Sequence, residues 1–161
     1  MIRMSPALLP FFHWADHTWI SVMIRDSTWA FALIEVFHLF GLTLLLGTLT
    51  VLNLRLFGWG LGRYPLKSVA TDALPWTFAG MAVSITSGIL LFLSEAMKCY
   101  GSLPFFVKMG LLAAALVFTF AFHRRLTKAD APSPVASKCA ACLSVALWFG
   151  VGLAGRAIAY F

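Results

Sequence analysis

Four stretches of this chain are each long and apolar enough to cross a lipid bilayer, and they leave little chain for anything else. A helix needs about 20 mostly apolar residues to span a hydrocarbon core of about 30 Å. Trp29–Leu52, Leu74–Met97, Leu103–Phe122 and Cys139–Ala157 meet that need. Inside lipid every backbone N–H and C=O has to be answered within the protein, which an α-helix does for itself. The expected fold is therefore all-α: a four-helix transmembrane bundle forming one integral membrane domain over residues 1–161. Composition agrees, with 61% hydrophobic and 11% charged residues, against about a quarter charged in soluble domains.

Ahead of the first span, Pro6–Ile24 mixes Phe11, Phe12, Trp14, Trp19 and Ile20 with His13, Asp16 and His17. It is too polar to span, and aromatics of this kind sit at headgroup level. We expect an N-terminal interfacial amphipathic helix over about residues 6–24. The segment lacks the unbroken apolar core and small-residue cleavage site of a signal peptide, so it is expected in the mature chain.

The net charge of +6 does not indicate nucleic acid, because the basic residues lie between the apolar runs. Arg55, Arg63 and Lys67 follow the first span, and Arg124, Arg125, Lys128 and Lys138 follow the third. Arg3, Arg25, Lys98 and Arg156 lie on the opposite side. The excess of lysine and arginine places the first and third loops in the cytoplasm and both termini in the periplasm of a bacterial inner membrane. Pro75 and Pro104 stand at the starts of the second and third spans, where proline is tolerated. Pro132 and Pro134, in the polar KADAPSP stretch, end any helical reading there. Gly80, Ser84 and Gly88 repeat every four residues and form a small-residue stripe for close helix contact within the bundle. Gly150, Gly152 and Gly155 suggest the same in the fourth span. The alternative for these stripes is a homo-oligomer interface.

The costly residues carry the functional question. An ionisable side chain in hydrocarbon costs roughly 2.5–3.5 kcal/mol on insertion scales. Glu35, His38, Glu95, Lys108 and Arg156 come from four different spans, and helix arithmetic sets them near one level in the outer half. Glu35 and His38 are three apart and share a helix face. Trp148 and Tyr160 are expected to wall the same site. The competing reading for Glu95, Lys108 and Arg156 is that they snorkel to the interface.

Metal and haem readings follow from the histidines and cysteines. His38 and His123 lie at opposite ends of their spans, roughly 20 Å apart in level at 1.5 Å per residue, so they cannot share one haem iron. A haem on His38 would need another axial ligand, such as Lys108 or a methionine. His13 and His17, with Asp16 in HWADH, offer a weaker zinc or copper set. Cys139 and Cys142, with His123 nearby, offer a soft one for copper(I) or zinc. Small cysteines also simply pack helices together. An odd count of three cysteines argues against a disulfide framework. No nucleophile elbow, phosphate loop, zinc-protease helix or dinucleotide fingerprint is present, so nothing marks the chain as an enzyme on its own.

The runs STWAFALIEVFHLFGLTLLLGTLTVLNLRLFG, WTFAGMAVSITSGILLFLSEA, PFFVKMG and SVALWFGVGLAGRAIAY resemble an uncharacterised family of bacterial four-helix inner-membrane proteins that carries a domain-of-unknown-function label. The matching positions are Glu35, His38, Gly41, Arg55, Lys108, Trp148, Arg156 and Tyr160. Asn53 departs from the aspartate of the family pattern, and the Cys139–Cys142 pair lies outside it. The family is more distantly similar to the membrane protein D of bacterial copper resistance and to four-helix b-type cytochromes. That likeness implies copper or a b-type haem as cofactor, and a periplasmic redox or copper-binding protein as partner. In that reading His38 is the ligand. Glu35 holds the second imidazole nitrogen or takes up a proton, and Lys108 and Arg156 balance charge on a carboxylate, a propionate or a quinone oxygen. Two alternatives stand beside it. One is a cofactor-free membrane anchor or assembly subunit whose charges form an ion-paired network; the other is a pathway for a small solute or protons.

Overall fold

The computed structural model of the protein describes residues 6–60, 63–128, 133–158 and 160. A 3-10 turn over Pro6–Leu8 leads into α1 (Leu9–Asp16) and α2 (Trp19–Asp26). Then come α3 (Ala30–Phe57), α4 (Leu66–Ser94), the short α5 (Ala96–Tyr100), α6 (Leu103–Lys128) and α7 (Pro134–Ala157). Four of these are long and apolar enough to cross a membrane, as expected: α3, α4, α6 over Leu103–Phe122, and α7. They run alternately up and down. α1, α2, α5 and Tyr160 gather at one end of the bundle, called here the terminal end. The α3–α4 and α6–α7 connections lie at the other, the loop end.

The helices outrun the apolar segments at the loop end, for visible reasons. α4 starts at Leu66, not near Leu74, because Leu66, Val69, Ala70 and Ala73 recur at helical spacing. The first three pack with Leu52, Leu56, Ala141 and Phe122. Pro75 therefore lies inside α4 rather than in its first turn. α7 likewise starts at Pro134, not Cys139. Ser133 caps it by accepting from the Ala136 N–H at 3.3 Å, and Pro134 takes the first helical position, where no donor is lost. Proline thus opens this helix where the sequence suggested a stop. α3 ends in a Schellman motif. Gly58 has φ +81°, its N–H donates to the Arg55 carbonyl at 3.2 Å, and the Trp59 N–H donates to the Leu54 carbonyl at 2.9 Å.

α3 packs most extensively on α4, α6 on α7, and α3 on α7, while α4 and α6 meet sparsely. The α3–α4 seam is built on the small-residue stripe. A methyl group on Gly80 would fall 2.6 Å from the Leu45 backbone nitrogen, and one on Gly41 would fall 2.8 Å from the Ser84 Oγ. Without a hydrophobic drive between helices in lipid, such close backbone approach supplies the packing that holds them. In α7 the glycines divide. Gly150 faces Leu111 of α6, Gly155 faces Lys108, and Gly152 has nothing within 4 Å.

The N-terminal segment is two helices rather than one. The chain turns at His17–Thr18, where the Thr18 Oγ1 caps α2 by accepting from the Ser21 N–H at 3.3 Å. Arg25 of α2 ties back to α1, at 2.8 Å from the Asp16 carboxylate and 2.7 Å from the Asp16 carbonyl. The pair does more than lie in the interface. Phe12 and Ala15 are buried against Ala96 and Cys99, with Phe92, Tyr100, Phe105 and Phe106 around them. The Ser21 hydroxyl donates to the Leu93 carbonyl at 2.8 Å, answering a backbone group at the end of α4. α1 and α2 thus close the terminal end of the bundle.

Candidate functional site

His38 projects from α3 toward α4, half-buried, with Nδ1 3.0 Å from the Ser87 Oγ. Ser87 gives its single hydroxyl proton to the Val83 carbonyl at 2.5 Å, with the Ser84 carbonyl a second acceptor at 3.3 Å. Its oxygen therefore accepts from His38, and Nδ1 carries the imidazole proton. The Ser84 backbone is a second hydrogen-bond partner of the ring, so the imidazole is held against α4 by both Ser87 and Ser84. Gly88 makes room for the ring, since a methyl group there would stand 3.2 Å from the His38 Cε1.

Lys108 enters from α6 and lays the end of its side chain along Gly155 of α7. A methyl group at Gly155 would contact the Lys108 Cδ, Cε and Nζ at 3.5–3.7 Å. Lys108 is neither exposed nor paired. The two ion pairs among the described residues, Arg25–Asp16 and Lys98–Glu95, do not include it. Two more polar groups in this half stand unanswered: the buried hydroxyls of Ser84 and Ser102 have no hydrogen-bond partner.

α3 has 28 residues and is about 42 Å long at 1.5 Å per residue, so it overhangs a core of about 30 Å by about 6 Å at each end when centred. His38 then lies about 6 Å inside the hydrocarbon, and Glu35 lies close to its boundary. Glu35 is exposed on the outer surface of α3. The ring partner of His38 is Ser87, not Glu35.

The other sequence candidates go elsewhere. Glu95 caps the end of α4 and pairs with Lys98 at 3.2 Å on the surface. Arg156 is exposed, its Nη2 donating to the Tyr160 hydroxyl at 3.4 Å and its guanidinium lying 5.6 Å from the Tyr160 ring. Trp148 is buried mid-bundle with Leu45, Leu49, Met81, Ala115 and Val151, and its indole N–H donates to the Thr119 Oγ1 at 3.2 Å. It does not wall the His38 site. His13 and His17 stack at 5.8 Å between ring centroids, but Asp16 is taken by Arg25 and the His17 Nδ1 by the His13 carbonyl at 2.9 Å. Cys139 and Cys142 are both exposed, and the side chain of His123 lies outside the described residues. Among the described residues no group of three histidine, cysteine, aspartate or glutamate side chains is placed to hold a metal ion.

Sequence reasoning found His38 and Lys108 but not Ser87, the residue that orients the ring. Its signal was present in SITSG, where Ser84, Ser87 and Gly88 share one face of α4 at three- and four-residue spacing.

A model of DUF6644, a family of unknown function, matches residues 11–161. The chain belongs to that family. No curated protein and no solved structure matches it, so the distant likeness to copper-resistance protein D and to b-type cytochromes gains no support. The membrane-protein reading stands on the four apolar helices.

Proposed function

We propose that this protein is a membrane-embedded ligand-binding component of electron transfer, working from the periplasmic half of a bacterial inner membrane with a partner at that face. The observation that carries this reading is that His38 and Lys108, partly buried in the terminal half of spanning helices, take part in no ion pair among the described residues.

A resident metal does not fit these residues. His38 supplies one donor, and no three-ligand group stands among the described residues. A resident haem fits no better. The two best-formed concavities are shallow grooves of about 390 and 330 Å³ on lipid-facing seams, lined mostly by apolar side chains, and neither includes His38 or Lys108. The ion pairs among the described residues, Arg25–Asp16 and Lys98–Glu95, lie at the surface and lend no support to the buried ion-paired network of the anchor reading. An imidazole and an amine in the same half of the bundle suit an exchangeable ligand with an oxygen head group.

The test is mass spectrometry of the full chain isolated from membranes, with a visible spectrum and metal analysis of the same sample. The expected result is a colourless protein carrying a non-covalent organic adduct that is lost in both His38→Ala and Lys108→Met. A Soret band or stoichiometric copper would restore the cofactor reading. A bare chain, equally bare in both variants, would overturn ligand binding altogether.

A further inference from the structure

His13 and His17 stand four apart at the end of α1, both exposed. The helical turn between them is intact, since the His17 backbone N–H donates to the His13 carbonyl at 3.2 Å. The two rings therefore share one face. They stack at 5.8 Å between centroids, with 29° between their planes. A transition-metal ion lies about 2.0–2.1 Å from an imidazole nitrogen, hence roughly 3.2 Å from the ring centroid, so two rings can share one ion with centroids up to roughly 6.4 Å apart. The observed spacing falls inside that limit, and small rotations of two exposed side chains are enough to converge on one ion.

The hydrogen bonding suits the ligand form. The His17 Nδ1 lies 2.9 Å from the His13 carbonyl oxygen, which can only accept, so Nδ1 donates. In the neutral imidazole the lone pair is then on Nε2, on the far side of the ring from that carbonyl. A metal-ligating histidine is usually held in this way, its other ring nitrogen donating to a backbone carbonyl or a carboxylate. The His13 ring makes no hydrogen bond among the described residues. Asp16 is turned to Arg25 at 2.8 Å, so the protein supplies two donors and water completes the shell. Such an ion exchanges readily. Paired imidazoles suit divalent ions of borderline softness, among which copper(II) binds tightest.

We propose that His13 and His17 form an exchangeable two-point site for a divalent transition-metal ion at the terminal face, with copper(II) held most tightly. The site is separate from His38 and Lys108 and does not depend on their reading. An ion bridging the two rings clamps the last turn of α1, just before the chain turns into α2. That helix carries Phe12, whose ring is buried 5.5 Å from Phe92 and 5.3 Å from Tyr100. Because the ion binds the helical form, it stabilises the docked end of the chain.

The test uses the untagged full chain in phosphatidylcholine nanodiscs. The exposed thiols of Cys139 and Cys142 are first blocked with N-ethylmaleimide, so that they neither bind nor reduce the probe. Copper(II) is titrated by calorimetry and by electron paramagnetic resonance, with magnesium as a hard-ion control. The expected result is one equivalent bound, a spectrum showing two imidazole nitrogens, and a thermal midpoint that rises with copper. His13→Ala and His17→Ala should each weaken binding at least about tenfold and abolish that rise, while leaving the metal-free midpoint in place because both side chains are exposed. Unchanged affinity in either variant, or a spectrum with a single nitrogen, would overturn the shared site. Magnesium binding as tightly as copper would overturn it too, by showing attraction to charge alone.

Discussion

The two halves of the bundle treat buried polar groups in opposite ways. Toward the loop end three pairs are answered across helix seams. The Asn53 amide donates to the Ser144 Oγ at 3.2 Å, the Trp148 indole to Thr119 at 3.2 Å, and the Thr77 hydroxyl lies 3.1 Å from the Thr48 Oγ1. Toward the terminal end the Ser84 Oγ and Ser102 Oγ have no hydrogen-bond partner, and Lys108 takes part in no ion pair among the described residues. Since an unpaired polar group in hydrocarbon is costly, the closed pairs are what helix register alone requires. The open groups mark where something besides the fold is served.

The seam that both halves share gives the largest expected effect. Gly80→Leu drives a side chain into the α3 backbone and should cost about 1–3 kcal/mol or more, seen as a large fall in thermal midpoint in detergent. Gly152→Ala, facing open space, should be neutral or gain up to about 1 kcal/mol from helix propensity. Next, Lys108→Met should stabilise the ligand-free chain by up to about 2.5 kcal/mol, because it removes an uncompensated charge from lipid. A loss of stability instead would break the contrast by showing that Lys108 is answered after all. The hydroxyls sharpen it further. Ser144→Ala should cost about 1 kcal/mol by orphaning the Asn53 amide, whereas Ser84→Ala should cost nothing or stabilise, since its hydroxyl bonds to nothing. The smallest effect is at Cys99, outside the spans. Burial, helped by the charge of Glu95, pushes its thiol up from 9.0 to about 11. The fold therefore favours the neutral thiol, a contribution complete below pH 9 and lost as pH rises toward 11. Cys99→Ala should flatten the stability profile across that interval.

These contrasts also explain what the sequence disclosed. Hydropathy located all four spans, and the Gly80–Ser84–Gly88 stripe foretold the α3–α4 seam, because length and side-chain size are local properties. It also set Glu35, His38, Glu95, Lys108 and Arg156 near a common level. Level is a coordinate along the helix axis, however, and says nothing about azimuth. In a soluble helix a polar stripe reveals which side faces in, but α3 is apolar almost all round. Nothing in the run therefore told that Glu35 faces out while His38 faces α4, or that Trp148 belongs to a different layer. The early starts of α4 and α7 were hidden for another reason. They depend on clusters such as that of Leu52, Leu56, Ala70 and Ala141, drawn from segments far apart in the chain.

The seat of Phe12 carries a consequence for how the protein is made. A ribosome delivers α1 first, yet the rings and thiol that receive it, from Phe92 to Phe106, belong to segments that emerge after α3 and most of α4. Until then α1 and α2 have only the membrane surface to rest on, and Trp14 and Trp19, still outward-facing in the finished fold, suit them to wait there. α1 is thus among the last elements to be docked, and a newborn molecule with its terminal end unsealed precedes every finished one.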